Sequence, residues 1–327
     1  MSALSKYRSS IMGISILWIM FFHSGLKAPD QLILRLVWYV IVSYGTIGVD
    51  VFLICSGMGL ACSAERKGKD FDALSFYKRR LVRILPAYFI VATVWYLIKF
   101  ENIGIFFRRI FFLNFFIDGE RDFWYIPCIL ICYLLFPLYT KLKDRIGFHI
   151  TTVIFVVCSA SLAGIVFLIN PILYEKWEIL LYRLLSFWIG CHIGVLLQHD
   201  EVKEYNYTVV CLTVVSVALL ACFWMFHAPA TVERLGSVCA APAIMLIFAY
   251  FSAMVSFVKI LSSLGRITLE LYLIHVSLGG WLAEIVRDLL LPGNQPLYLL
   301  LYFILSILMS AMLHSAIDII MHKRSIS

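Results

Sequence analysis

The chain has 327 residues, 62% of them hydrophobic and 14% charged, with a formal net charge of +7. A soluble domain carries about 25% charged and about 45–50% apolar residues, so the composition excludes a soluble globular protein. The positive charge lies in connections between apolar runs, where membrane topology puts it, and this argues against a nucleic-acid partner.

Repeated apolar runs of about 20 residues predict an all-α polytopic transmembrane bundle of about ten spans, one domain over residues 1–327. The first span covers Ser10–Gly25; it follows Lys6 and Arg8, lacks a small-residue cleavage site and is expected to be a retained helix. Residues 31–44, which carry Arg35, read as an interfacial helix or the start of the second span, Thr46–Ser63. The third is Ile84–Phe100, with Pro86 in its first turn, where proline is tolerated. Residues 103–117 are split by Arg108 and Arg109 and read as interfacial or re-entrant. The remaining spans are Phe123–Tyr139, Phe148–Leu168 (ended by Asn170-Pro171), Ile179–Leu197, Tyr207–Phe226, Gly236–Val258, Ile267–Val286 and Leu297–Met321. No internal repeat, linker or appended soluble domain is read from the pattern.

Alternation of these spans places 17 lysines and arginines on one side: Lys6, Arg8, Arg66, Lys67, Lys69, Lys78, Arg79, Arg80, Arg83, Lys141, Lys143, Arg145, Lys203, Lys259, Arg266, Lys323 and Arg324. The other side holds nine: Lys27, Arg35, Lys99, Arg108, Arg109, Arg121, Lys176, Arg234 and Arg287, with Arg183 inside the sixth span. The bias predicts both termini on the cytoplasmic side. The nine cysteines lie in apolar surroundings or at the ends of apolar runs and read as small core hydrophobes. Cys128 and Cys132 are one helical turn apart but lack companion ligands, so no metal site is read there.

Ionisable groups at membrane depth are costly and are functional candidates by default. His23 ends the first span; a helix from Arg8 rises about 22 Å to reach it, towards the outer leaflet. A helix-end histidine satisfied by water is the plain reading, but Ser24, Gly25 and the nearby Asp50 favour a general base. Asp50, at the outer end of the second span, is expected either to cap that helix or to orient His23 or contact an acceptor hydroxyl. Ser56-Gly57 reads as a close-packing site; a serine nucleophile there lacks a GxSxG elbow. Anchoring to anionic lipid is the plain reading of Lys78, Arg79, Arg80 and Arg83; a phosphate clamp is the functional one. Arg80 and Arg83 share a helix face near N-terminal amides. Trp124 reads first as part of an aromatic belt. His275 is a second mid-membrane candidate, with His192 behind it; His149, His199, His227 and His322 are expected to be solvated. Pairing at i, i+4 is expected for Arg266 with Glu270 and for His314 with Asp318.

Five pieces occur in order: WIMFFHS, GVDVFLICSGMGL, FYKRRLVRILPAYF, FWYIPCILICYLLFPLY and LGRITLELYLIHV. Each is short and degenerate, but their order and spacing make the chain resemble the acyltransferase-3 family of integral membrane O-acyltransferases over nearly its whole length. The resemblance implies about ten helices and transfer of an acyl group, most often acetyl from acetyl-CoA, to a hydroxyl of a surface glycan, lipid-linked sugar or other small acceptor. It implies His23 as the essential histidine and Arg80 and Arg83 as acyl-CoA-binding arginines. Asp50, Ser56 and Gly57 match the second-span motif, Trp124 the fourth-span aromatic and His275 the late histidine. The chain departs from the family at Met12, where many members have arginine or lysine; Lys6 and Arg8 are the nearest cations. Leu53 and Met58 stand where phenylalanines are common.

On this reading CoA phosphates sit at the cytoplasmic cluster and the thioester enters between helices towards His23, which acts as a base or an acyl relay. The membrane is expected to be a bacterial inner membrane. The competing classes are a transporter or flippase for an anionic or polyprenyl-linked solute, favoured by discontinuous helices and a repeat, and a non-catalytic scaffold.

Overall fold

The computed structural model describes residues 3–25, 30–199, 202–226, 230–290 and 294–326. Lys27 and His227 lie outside these residues, as do the side chains of Lys69, Lys203, Cys222, His322, Lys323 and Arg324. Fifteen α-helices and no strand occur among the described residues. They are α1 (Ala3–His23), α2 (Leu32–Ser43), α3 (Ile47–Lys67), α4 (Ala73–Ile98), α5 (Ile103–Ile110), α6 (Leu113–Asp118), α7 (Tyr125–Ile146) and α8 (Phe148–Ile169). After these come α9 (Pro171–Gln198), α10 (Val202–Phe226), α11 (Ala230–Met254), α12 (Val258–Arg266), α13 (Thr268–His275), α14 (Leu278–Leu290) and α15 (Gln295–Ile326).

Among the described residues seven helices are long and apolar enough to cross a membrane, or eight if α13 and α14 are one bent span. With α1 and α10, each of the ten predicted spans finds a helix or a bent pair. The two basic or short apolar segments between spans are helices too short to cross: α2 has 12 residues, α5 and α6 have 8 and 6.

At two of the boundaries that differ from expectation, caps and not hydropathy set the helix start. Asp72 accepts the backbone N–H groups of Leu74 and Ser75 at 3.2 and 2.9 Å and starts α4 there. The basic cluster therefore lies inside α4 rather than in a connection, and Pro86 sits mid-helix. Asn170 caps Leu173, with Pro171 at the first helical position, so α9 begins eight residues before the predicted span. A third difference is the ninth span. It breaks after His275, and α13 and α14 meet at 47°. Ser277 donates its hydroxyl to the Leu273 carbonyl at the break, within HVSLGG.

The bundle is organised on α3 and α9, whose apolar windows are 83% and 78% buried, against 17% for α8 and α15 at the periphery. Gly57 and Gly190 let the two backbones meet: a Cβ on either would overlap the carbonyl of Phe187 or of Ile54. That crossing sets Asp50 on α3 opposite Arg183 and Ser186 on α9.

Candidate functional site

Two chambers lie end to end inside the bundle. The first, of about 770 Å³, opens between α1, α3, α4, α7 and α12–α13. Arg8, Arg66, Lys67, Arg80, Arg83 and Arg266 line it, and no carboxylate does. The second, of about 600 Å³, is lined by His23, His275, Trp95, Trp124, Trp281, Tyr298, Tyr302 and three arginines. Ile19, Val49 and Tyr272 line both chambers and form the wall between them.

Of the four cations on α4, Arg80 and Arg83 face the first chamber; Lys78 and Arg79 are exposed and line neither. Helical periodicity puts Lys78 nearly opposite the face shared by Arg80, Arg83 and Ile84, while Arg79, one turn before Arg83, lies at the edge of that face. The two chamber arginines are not equivalent. Arg83 is held by both oxygens of Glu270, at 2.5 and 3.1 Å, and by the Arg266 carbonyl. His314 Nδ1 meets the same carboxylate at 3.0 Å, and its Nε2 reaches Asp318. The expected Arg266–Glu270 pair is therefore replaced by a longer-range one, and Arg266 donates to Ser263 instead. Arg80 has no ion-pair partner among the described residues; it lies over the rings of Phe76 and Tyr133, and its Nε is buried without an acceptor. Ser56 lines the chamber between these tyrosine-bearing walls, with Tyr125 and Tyr133.

Arg8, one of the two cations nearest Met12, is not among the cofactor-binding residues that the sequence implies, yet it lines the first chamber. It lies four residues before Met12, so both are on one face of α1, and both line the first chamber. Its Nη1 occupies the space that a side chain on Gly59 would need. A cation one turn before Met12 thus reaches the first chamber through a gap that a glycine on α3 leaves open. The i−4 spacing was visible in the sequence; the partner glycine was not.

Asp50 takes neither of two expected partners, the α3 backbone or His23. No bond joins it to His23 among the described residues, and it makes no cap at the start of α3. It is fully buried, pairs with the Arg183 guanidinium and accepts the Ser186 hydroxyl at 2.6 Å. It thereby holds Arg183 against the second chamber, with that guanidinium 6.0 Å from the Trp124 ring centre. Trp124 is a chamber wall and not only a belt residue.

His23 is partnered by His275 instead. His275 is 2% exposed, and its Nδ1 lies 2.7 Å from the Leu271 carbonyl, which can only accept. The proton is therefore on His275 Nδ1, and in the neutral ring Nε2 is an acceptor. His275 Nε2 lies 3.3 Å from His23 Nδ1, so His23 donates from Nδ1 and keeps its lone pair on Nε2, at the chamber. His275 is the last residue of α13, and the break that follows it turns the chain away at Val276 and Ser277, which also line the chamber. His192 lines neither chamber; it packs with Phe148 and His149.

A family model described as an acyltransferase domain matches residues 11–315 of the chain. No curated protein and no solved structure matches it.

Proposed function

The chain belongs to this acyltransferase family and is a membrane acyltransferase; we propose that it moves an acyl group, acetyl as the base expectation, from acyl-CoA to a hydroxyl of a cell-surface glycan or lipid-linked saccharide. The observation that carries this reading is the pair of chambers sharing one wall at Ile19, Val49 and Tyr272. Six cations without a facing carboxylate suit a ligand that brings several negative charges, as the phosphates of CoA do. The aromatic walls beyond suit a sugar ring.

Arg8 and Arg80, which show no ion pair among the described residues, take the phosphates, with Arg66, Lys67 and Arg266 around them, and Glu270 fixes Arg83 beside them. The pantetheine arm runs past Ser56 to the wall at Tyr272. On the other side His23 Nε2 takes the proton of the acceptor hydroxyl; its oxygen attacks the thioester carbonyl and CoA leaves as thiolate, which receives the proton. An acyl-histidine relay on the same nitrogen is the other order of steps. The cationic chamber faces the cytoplasm on this reading, in a bacterial inner membrane, consistent with the lysine and arginine bias. The discontinuous helix that a transporter reading called for is present at α13–α14. Here the break falls directly after His275, at the second chamber, irregular backbone at membrane depth being tolerated where it lines a cavity.

The test is acetyl-CoA binding and turnover by the purified chain in lipid nanodiscs. Wild type binds and slowly hydrolyses the thioester, Arg80→Ala loses affinity, and His23→Ala binds but turns over roughly 10²–10⁴-fold more slowly. Absence of affinity for any acyl-CoA in wild type would sink the donor assignment.

A further inference from the structure

Three elements bring arginines to one wall of the second chamber: Arg121 before α7, Arg183 on α9 and Arg234 on α11. Two carboxylates answer them. Asp50 holds Arg183, while Arg121 and Arg234 share a single oxygen, Glu178 Oε1, at 3.3 and 2.7 Å. Among the described residues these three arginines are paired with two carboxylates, one fewer than their charges call for. The other charged groups do not make up the difference: Asp122 is held by Lys99 Nζ at 3.1 Å and Trp95 Nε1 at 2.9 Å, and Glu284 is exposed.

The hydrogen-bond inventory points the same way. The Nε of Arg234 is buried without an acceptor, and so is the hydroxyl of Tyr302, itself 1% exposed. Both residues line the chamber. Buried donors in native structures are nearly always satisfied, and an arginine presenting free N–H groups is matched best by a carboxylate or phosphate. Trp124 and Trp281 line the same space and offer faces for a ring.

We propose that the acyl acceptor is an anionic saccharide, its carboxylate or phosphate received by Arg234 beside Arg183 and its ring held against the aromatic walls. This rests on the reading of the second chamber as the acceptor site. Neutral sugars lack the group that would compensate the arginine wall, and they enter more weakly.

The experiment uses the full chain in nanodiscs and three probes: methyl glucuronide, glucose 1-phosphate and methyl glucoside. Their binding is titrated with CoA at saturation, so that the cationic chamber is filled. At least one anionic probe is expected to bind tenfold or more tightly than the glucoside, and the carboxylate and phosphate arms separate the two sources of charge. Arg234→Gln brings that anion down to the level of the glucoside, and Arg234→Lys restores part of the preference. Equal or absent binding of the three probes overturns the proposal. So does an anion preference that survives Arg234→Gln, or one that Arg80→Ala removes instead. CoA binding is read in the same samples: its absence strikes the donor assignment, while the anion preference stands or falls on the Arg234 variants.

Discussion

Six cations line the first chamber without a carboxylate among them, whereas each of the three arginines in the second is tied to an acid. The contrast follows from what each chamber is open to. A cluster of uncompensated charge is stable where water and counter-ions reach it and where a polyanionic ligand can replace them. A guanidinium buried among helices, as Arg183 is, must carry its own counter-charge or lose several kcal/mol. Charge in excess of its partners therefore marks a place for a ligand, as on Arg80 and on the wall where Arg121 and Arg234 share one carboxylate, and fully matched charge marks a piece of architecture. Arg80 and Arg83, one turn apart on α4, show both cases side by side.

The largest effect that would break this distinction is at Asp50. Asp50→Ala strands Arg183 with its partner gone, and we expect a loss of about 3–5 kcal/mol, read as a marked fall in the melting temperature of the detergent-solubilised chain. Unchanged stability would mean that Arg183 is hydrated and the second chamber less closed than its packing implies. Arg83→Ala strands buried Glu270 and belongs to the same class.

Arg80→Ala belongs to the opposite class. Loss of a charge-assisted contact is worth about 1.5–3 kcal/mol, so the acyl-CoA dissociation constant rises roughly 10–100-fold while the melting temperature holds. Isothermal titration alongside the melting curve separates the two outcomes. A variant that loses stability without losing affinity would reverse the roles of Arg80 and Arg83.

A smaller effect sharpens the place of Arg8. Gly59→Ala puts a Cβ where Arg8 Nη1 lies, and affinity for acyl-CoA falls several-fold. The double variant with Arg8→Ala is no worse than Arg8→Ala alone, since both remove one contact. Additive losses would show that Gly59 and Arg8 act separately.

The smallest effect lies outside both chambers. Hydrogen bonds from the Ser75 side chain, then from the Ser75 and Leu74 backbone, hold the exposed Asp72 carboxyl below the usual carboxylate range. A carboxyl lowered on folding contributes above its unfolded value of about 3.9, and the contribution fades as pH falls through the depressed folded one. Amide exchange at Leu74 and Ser75 should therefore quicken at the acid end of that window, and at every pH in Asp72→Ala. No difference between the two chains would remove the cap as the reason α4 starts so early.

Much of this was legible in the order of residues. Spans follow from runs of apolar side chains long enough to cross hydrocarbon, a local property, and the all-helical bundle follows with them. The Asp72 and Asn170-Pro171 signals also stood in the sequence, but hydropathy drew the boundary where charge ended and so missed that α4 runs back through its basic turn. His23, Arg80, Trp124 and His275 were named from their positions, and the fold brings the first, third and fourth of these to one chamber and the second to the other. What local pattern does not carry is which buried charge meets which. Asp50 reaches Arg183 across 133 residues, Arg83 reaches Glu270 across 187, and His23 reaches His275 across 252. The first was decided by the close crossing of α3 on α9, the second and third by the packing of α13 against α4 and α1. A side chain's partner in low dielectric is set by which helix face arrives opposite it, and only the packed bundle determines that.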